Sequence, residues 1–220
     1  MTNPNRTEIV CVLDRSGSMN GIWSDAIGGL KTFIEDQKKD QDDTRLTLIA
    51  FDTKYEEVAL SESIHDFDMN KLDDIYPRGG TALYDALGLT INKVGQNLKD
   101  LDENDRPGNV IFCILTDGYE NASNEYASGT IKEMIGHQTN KYDWEFTYLG
   151  ANQDAFAAGS SMGISAKNCA NVETSARGML GSYASFSGAV RTRKTNRTAY
   201  DDESFTMQNL VNEEMEKTEE

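Results

Sequence analysis

Three oxygen-bearing side chains stand at alternate positions where the first apolar run of the chain ends. The run EIVCVLD, residues 8–14, ends on Asp14, and Ser16 and Ser18 follow. A strand that ends in a turn capped by serine would explain this pattern without any ligand. The same residues also suit one part of a metal site, because carboxylate and hydroxyl oxygens bind hard cations. This stretch alone leaves both interpretations open.

Two later stretches carry side chains of the same kind. In RGGTALYDAL, residues 78–87, Thr81 follows two glycines and opens an amphipathic pattern, and the apolar run NVIFCILTD, residues 109–117, ends on Asp117. The glycines permit a tight loop, and Thr81 is predicted to be the N-cap of the helix that follows. Capping accounts for the hydroxyl groups. It does not account for two apolar runs that both end in aspartate.

Apolar runs alternate with helical patterns along the chain. Four apolar runs are predicted to be strands, at residues 8–14, 45–52, 109–117 and 144–152. The first and third are nearly continuous, as in strands buried on both faces. Weaker strands are predicted at 168–172 and at 55–60, the latter an edge strand in a hairpin with the run before it. Apolar residues at three- and four-residue steps predict helices at about 18–38, 81–98, 124–139, 155–162 and 174–193.

The order of these elements predicts an α/β fold, with a doubly wound, Rossmann-like, mostly parallel sheet, one antiparallel edge strand and helices on both faces. In such a sheet, ligands bind beyond the carboxyl ends of the strands, where the strand order reverses. We therefore expect two carboxylates and three hydroxyls to meet at one edge of the sheet: Asp14, Ser16, Ser18, Thr81 and Asp117. The set holds no Cys or His, which favours Mg²⁺, or else Mn²⁺ or Ca²⁺, over zinc or copper.

Charge and composition argue against several classes of protein. The formal net charge of −16 over 220 residues disfavours nucleic-acid binding, which depends on Lys and Arg meeting phosphates. No apolar stretch is long enough to span a membrane, and the first residues lack the apolar core of a secretory signal, so we expect a cytoplasmic protein. Cys11, Cys113 and Cys169 lie in apolar runs and are predicted to be buried thiols.

The acidic residues are concentrated at the end of the chain. Residues 201–220 contain eight Asp or Glu and a single Lys. We predict one domain over residues 1–198, followed by an acidic tail at 199–220 that is flexible or helical.

The three motifs together resemble the von Willebrand factor A domain, over about residues 6–190. Asp-x-Ser-x-Ser at the first strand, Gly-Gly-Thr at the start of a helix and Thr-Asp-Gly after a later strand occur in the order found in that family. The resemblance implies a metal-ion-dependent adhesion site, at which Ser16, Ser18 and Thr81 ligate the ion directly or through water. It places Asp14 and Asp117 either on the ion or behind the waters and hydroxyls that surround it. The compact chain further favours a prokaryotic or phage source.

Such a site implies a protein-binding module, in which a carboxylate of a partner protein completes the shell of the metal ion inside an intracellular complex. The neighbouring loops, at residues 20–21, 78 and 119–123, would then set specificity. Two alternatives stay open. The chain could be an accessory subunit of an ATPase or of a stress-resistance system, or a structural domain that the metal only stabilises.

A stand-alone enzyme is disfavoured. The serines of DRSGS do not lie in a G-x-S-x-G elbow, and the chain contains neither the P-loop pattern nor the G-x-G-x-x-G fingerprint. His65 is predicted to lie in a polar loop and His137 near the end of a helix. Neither histidine is expected beside an acid at the end of a strand.

Overall fold

The computed structural model describes residues 2–217 and shows a six-stranded sheet with the strand order β3-β2-β1-β4-β5-β6. Five strands are parallel, and β3 pairs with β2 in the antiparallel direction. The strands are β1 (Asn3–Asp14), β2 (Asp43–Phe51), β3 (Tyr55–Ser63), β4 (Pro107–Thr116), β5 (Glu145–Ala151) and β6 (Cys169–Val172). This sheet confirms the predicted fold class.

Helices follow the strands and cover both faces of the sheet. They are α1 (Trp23–Gln37), α2 (Leu83–Asp100), α3 (Ser128–Tyr142), α4 (Ala155–Ser161), α5 (Ala176–Thr195), α6 (Arg197–Asp201) and α7 (Met207–Lys217). None of the helices between residues 2 and 217 has the length and apolar character needed to cross a membrane.

The starts of two helices differ from the sequence prediction. The stretch before α1 forms a 3-10 turn over Gly17–Gly21, so the α-helix begins at Trp23 rather than at Ser18. Helix α3 begins four residues later than predicted. The backbone N–H groups of residues 124–126 donate instead to the carboxylate of Asp85, which holds this segment in a loop.

Alternate residues of the central strands face two separate apolar layers. In β1, Ile9, Cys11 and Leu13 face the layer with α1, α5 and α7, whereas Val10 and Val12 face the layer with α2, α3 and α4. Every one of these side chains is buried, as the period of two along a strand requires for a sheet covered on both sides. The three cysteines are free and buried, which confirms that prediction.

The acidic C-terminal segment is helical and packs on the domain as far as the structure describes it. Tyr200, Met207 and Val211 are buried in the same apolar layer as α1 and α5. Gln208 Oε1 accepts a hydrogen bond of 2.9 Å from the backbone N–H of Asn171, on the edge strand β6. The segment therefore adds to the core and covers part of a sheet edge.

This packing predicts the cost of truncating a buried side chain of α7. We expect Met207→Ala to lower the free energy of unfolding by about 2–5 kcal/mol, because the substitution leaves a cavity in the apolar layer that contains α1 and α5. Glu213→Ala, on the exposed side of the same helix, should change it by no more than about 0.5 kcal/mol. Urea unfolding of the full chain measures both values. Equal, small effects would contradict the packing of α7 on the domain.

Candidate metal centre

The candidate site lies where the order of the strands reverses. From β1 the chain passes to β2 on one side of the sheet, whereas β4 pairs with β1 on the other side. The carboxyl ends of β1 and β4, at Asp14 and Thr116, therefore border the same crevice, which is where open α/β sheets bind ligands.

Asp14 joins the two central strands at this edge. Its Oδ1 accepts a hydrogen bond of 2.6 Å from the backbone N–H of Ser16, and its Oδ2 accepts one of 2.6 Å from the hydroxyl of Thr116. The side chain is fully buried, and burial raises the pKa of Asp14 to about 6 although these hydrogen bonds favour the charged form.

The two serines connect Asp14 with the second aspartate. The Oγ atoms of Ser16 and Ser18 are 2.9 Å apart, and the Ser18 hydroxyl donates a hydrogen bond of 2.6 Å to Asp117 Oδ1. Asp117 is buried, and burial raises its pKa above the ordinary value. Ser18 is exposed, so the group opens to solvent on its side.

Thr81 lies beside Ser18, and its hydroxyl is free to bind a ligand. A Cβ atom placed on Gly118 would be 3.4 Å from both Ser18 Oγ and Thr81 Oγ1, so the two hydroxyls flank the same small space. The prediction that Thr81 is the N-cap of α2 is wrong, because Ala82 occupies that position. Among residues 2–217, none forms a hydrogen bond with the Thr81 hydroxyl, although its carbonyl oxygen accepts two from the backbone.

The charges of this group favour a cation. Within the described part of the chain, neither Asp14 nor Asp117 pairs with Lys, Arg or His, and burying a carboxylate without a countercharge is costly. The five side chains offer oxygen only, which suits Mg²⁺, Mn²⁺ or Ca²⁺. Residues 2–217 hold no cluster of three or more His, Cys, Asp or Glu that could bind a metal, so a metal centre here depends on the hydroxyl groups.

An ionic cluster with a buried centre, the pair of Arg15 and Asp52, lies directly behind the Asp-x-Ser-x-Ser loop. Arg15 is 1% exposed, and its Nε and Nη1 donate to Asp52 Oδ2 at 2.9 Å and to Glu56 Oε2 at 2.6 Å. Arg78 Nε donates to the same Asp52 oxygen at 2.9 Å. Burial alone would raise the pKa of Asp52, but the hydrogen bonds from Arg78 and Lys54 and the charge of Arg15 outweigh it and hold that pKa below its usual value.

Backbone hydrogen bonds connect the same segments as the ionic cluster does. The N–H of Arg15 donates to Phe51 O at 2.8 Å, and the N–H of Arg78 donates to Arg15 O at 2.8 Å. The N–H of Gly17 donates to Gly79 O at 3.0 Å. Gly79 has a φ of +68°, a conformation that glycine adopts without strain. The loop of Asp14, the hairpin at Asp52 and the loop of Thr81 are thus held as one unit.

The loop after β4 is attached to the start of α2. Asn121 Oδ1 accepts a hydrogen bond of 2.9 Å from the backbone N–H of Thr81, and Glu120 Oε2 accepts one of 2.9 Å from that of Tyr84. Glu120 also accepts from the backbone and hydroxyl of Ser123. These bonds fix the position of Asp117 relative to Thr81.

A sequence model of the von Willebrand factor type A domain matches residues 8–179. The chain belongs to this family. Structures of two other proteins share the fold of this von Willebrand factor A domain. Proximal thread matrix protein 1 from the mussel byssus has a TM-score of 0.62 at 15% identity, over 83% of this chain and 45% of that protein. The PilB minor pilin from Streptococcus sanguinis has a TM-score of 0.62 at 11% identity, over 86% of this chain and 62% of the pilin.

A further structure of the mussel protein has a zinc-occupied MIDAS (metal-ion-dependent adhesion site) motif. That structure matches with a TM-score of 0.60 at 12% identity, over 84% of this chain and 46% of that protein. At such identities the likenesses show a shared fold. The chain spans less than half the length of the mussel protein and under two thirds of the pilin. No curated protein sequence shows a significant match to the chain.

Sequence reasoning brought together the five candidate residues of this von Willebrand factor A domain but missed those that hold them. Asp52 also ends a strand run, RLTLIAFD, and the same pattern singled out Asp14 and Asp117. Its role differs because Arg15 and Arg78 occupy its carboxylate. The arginine between Asp14 and Ser16 was the available signal, since a charged residue inside a buried loop needs a partner.

Breaking the ionic cluster should destabilise the domain. We expect Asp52→Ala to lower the free energy of unfolding by about 3–5 kcal/mol, because Arg15 then stays buried without its main countercharge. Glu62→Ala serves as the control, since it removes a surface ion pair with Lys71 and should cost at most about 1 kcal/mol. Chemical denaturation of both variants gives the comparison. An Asp52→Ala effect as small as that of the control would show that the cluster does not hold the loops.

Proposed function

We propose that this domain binds Mg²⁺ at Asp14, Ser16, Ser18, Thr81 and Asp117, and that an acidic group of a partner protein binds to the ion. Mn²⁺ or Ca²⁺ would fit the same oxygen atoms. The observation that carries the proposal is the free Thr81 hydroxyl, which lies beside the hydrogen-bonded group of Ser16, Ser18 and Asp117. The carboxylates of this group, those of Asp14 and Asp117, are buried without a countercharge. A bound Mg²⁺ keeps several of its waters, and a carboxylate can replace one of them.

The surface around the centre supports binding of a protein. Tyr76 and Tyr119 are 57% and 63% exposed, and both belong to loops that carry candidate ligands. Arg78 stacks on the Tyr76 ring, with its guanidinium carbon 5.2 Å from the ring centroid. Tyr and Arg dominate the binding energy of many protein interfaces.

The proposal contains no chemical step. The strand directions place His65, after the end of β3, and His137, late in α3, at the opposite end of the sheet from the metal centre. Residues 159–163, GSSMG, fit the G-x-S-x-G pattern, but they lie at the end of α4 and not in the turn from a strand to a helix that a nucleophilic serine requires. Work as an accessory subunit of an intracellular ATPase or stress-resistance complex is one form of the same proposal.

Metal binding is tested by thermal unfolding with and without the ion. At a Mg²⁺ concentration of about 100 times Kd, binding should stabilise the folded chain by about 2.7 kcal/mol and raise Tm, and EDTA should reverse the change. Thr81→Val keeps the shape of the side chain and removes only the hydroxyl, so it should abolish most of the shift. Asp68→Ala, which removes a cap at an exposed 3-10 turn, should leave the shift intact. No shift for the unaltered chain at millimolar Mg²⁺ or Mn²⁺ would refute the site.

Recruitment of a partner distinguishes the binding module from a domain that the metal only stabilises. The immobilised chain should capture a partner from the native host in Mg²⁺ and release it in EDTA. Thr81→Val should lose the capture and Asp68→Ala should keep it. Replacing single acidic residues of the captured partner by their amides should then abolish binding at one position. Capture that persists in EDTA would show that the partner does not bind through the ion.

A further inference from the structure

The chain contains a single Asn-Gly pair, Asn20-Gly21, at the end of the loop that carries candidate metal ligands. Both residues belong to the same 3-10 turn as Ser18, Gly17–Gly21, and the proposed metal centre uses neither of them. Asparagine is chemically labile, because its side-chain carbon can react with the backbone nitrogen of the next residue. Glycine in that next position has no side chain to shield the nitrogen.

The Asn20 side chain is available for this reaction. Asn20 and Gly21 are both exposed. Among residues 2–217, none forms a hydrogen bond with the side-chain amide of Asn20. A Cβ atom placed on Gly21 would meet nothing within 4 Å, so the space around its backbone is open. Protein packing therefore does not keep the two reacting groups apart.

The end of the turn that carries Gly21 is weakly held. The hydrogen bonds of a 3-10 turn have poorer geometry than those of an α-helix, and helix ends open readily. The Ser16 side chain at the N-cap forms no capping hydrogen bond, and Met19 is the one buried residue of the turn. Ile22, directly after the turn, has left the helical conformation, with φ −124° and ψ 7°. Local opening of this end therefore frees the Gly21 nitrogen without unfolding the domain.

From these features we infer that Asn20 is a modification site, at which the amide converts spontaneously into a carboxylate. The backbone nitrogen of Gly21 attacks Cγ of Asn20, and the new C–N bond closes a succinimide ring. The side-chain nitrogen leaves as ammonia, together with the proton of the attacking N–H. Water then opens the ring at Cγ to give aspartate, or at the main-chain carbonyl carbon to give isoaspartate. Either product is negatively charged at neutral pH.

The new carboxylate changes the charge of the metal loop. It lies two residues after Ser18, in the same turn. A negative charge there attracts a bound cation and repels an acidic group of a partner. Deamidation thus tightens metal binding and weakens recruitment of the partner as the protein ages. This consequence, unlike the reaction itself, rests on the proposed function.

Mass spectrometry of the full chain, aged in mildly alkaline buffer, tests the reaction. Trypsin releases residues 16–31, in which Asn20 is the only Asn or Gln, so replacement of an amide by an acid in that peptide identifies the site. Residues 55–71 are the internal control, since their only Asn or Gln is Asn70, which is exposed and lies in another 3-10 turn but precedes Lys71. Asn20 should react at least about tenfold faster than Asn70, a difference of about 1.4 kcal/mol in activation free energy. Equal rates would overturn the inference.

A variant of the glycine tests its part in the reaction. Gly21→Ala should slow the reaction of Asn20 at least about tenfold, because the methyl group shields the attacking nitrogen. The variant should fold, since the added Cβ meets no other atom and the φ of Gly21 is not in the left-handed region. Circular dichroism checks the fold. An unchanged rate in folded Gly21→Ala would overturn attack by the Gly21 nitrogen.

Asn20→Asp carries the charge of the product and tests its effect on the metal centre. In calorimetric titration with Mg²⁺ at low salt, its Kd should be about threefold lower than that of the unaltered chain, and high salt should reduce the gain. Asn70→Asp adds the same charge in the turn Met69–Leu72, which follows the end of β3 that lies away from the metal centre, and should leave Kd unchanged.

The two measurements separate the modification from the proposed function. An Mg²⁺ affinity of Asn20→Asp equal to that of Asn70→Asp would overturn the effect of the modification on the metal centre. Absence of Mg²⁺ binding by the unaltered chain would contradict the proposed function instead. The reaction at Asn20 is measured without metal, so its outcome is independent of that result.

Discussion

The buried ion pair of Arg15 with Asp52 is the interaction on which the position of the Asp-x-Ser-x-Ser loop depends. In extended backbone, alternate side chains point in opposite directions, so Asp14 and Ser16 face one side and Arg15 faces the other. Arg15 binds the hairpin between β2 and β3 through Asp52 and Glu56, and Asp52 also binds Arg78 in the loop before Thr81. The alternate spacing of the candidate ligands therefore has a structural counterpart, because the residue between two of them anchors the loop from behind.

Three strands end in an aspartate or are followed directly by one. The surroundings of these three aspartates give them two different roles. The pKa of Asp52 is lowered, since two arginines and a backbone N–H favour its charged form. The pKa values of Asp14 and Asp117 are raised by burial, and hydroxyl and backbone N–H groups are their only described partners. A carboxylate with its own arginine is already neutralised, whereas a buried one without a countercharge gains from a cation. Asp52 thus supports the loops around the site, whereas Asp14 and Asp117 remain the candidate metal ligands.

The sequence is sufficient to predict that the ends of the first and third apolar runs border one crevice, because apolar runs and their ends follow from local pattern. Metal binding by the five residues stays a prediction. The partners of Asp85 and Asp52 depend on contacts between segments far apart in the chain, which a local pattern does not contain. For the same reason the predicted start of α3 is too early, since the carboxylate of Asp85 accepts hydrogen bonds from the backbone N–H groups of residues 124–126. The burial of Met207 also depends on distant segments, since it lies in an apolar layer built from elements earlier in the chain.

Strand β4 positions Asp117 because both of its faces are buried. Phe112 and Ile114 lie in one apolar layer, and Cys113 lies in the other. Close packing on both faces restricts movement of the strand, so the core sets the place at which Asp117 leaves the sheet. The hydrogen bonds from the start of α2 to Asn121 and Glu120 then connect the loop of Asp117 with Thr81.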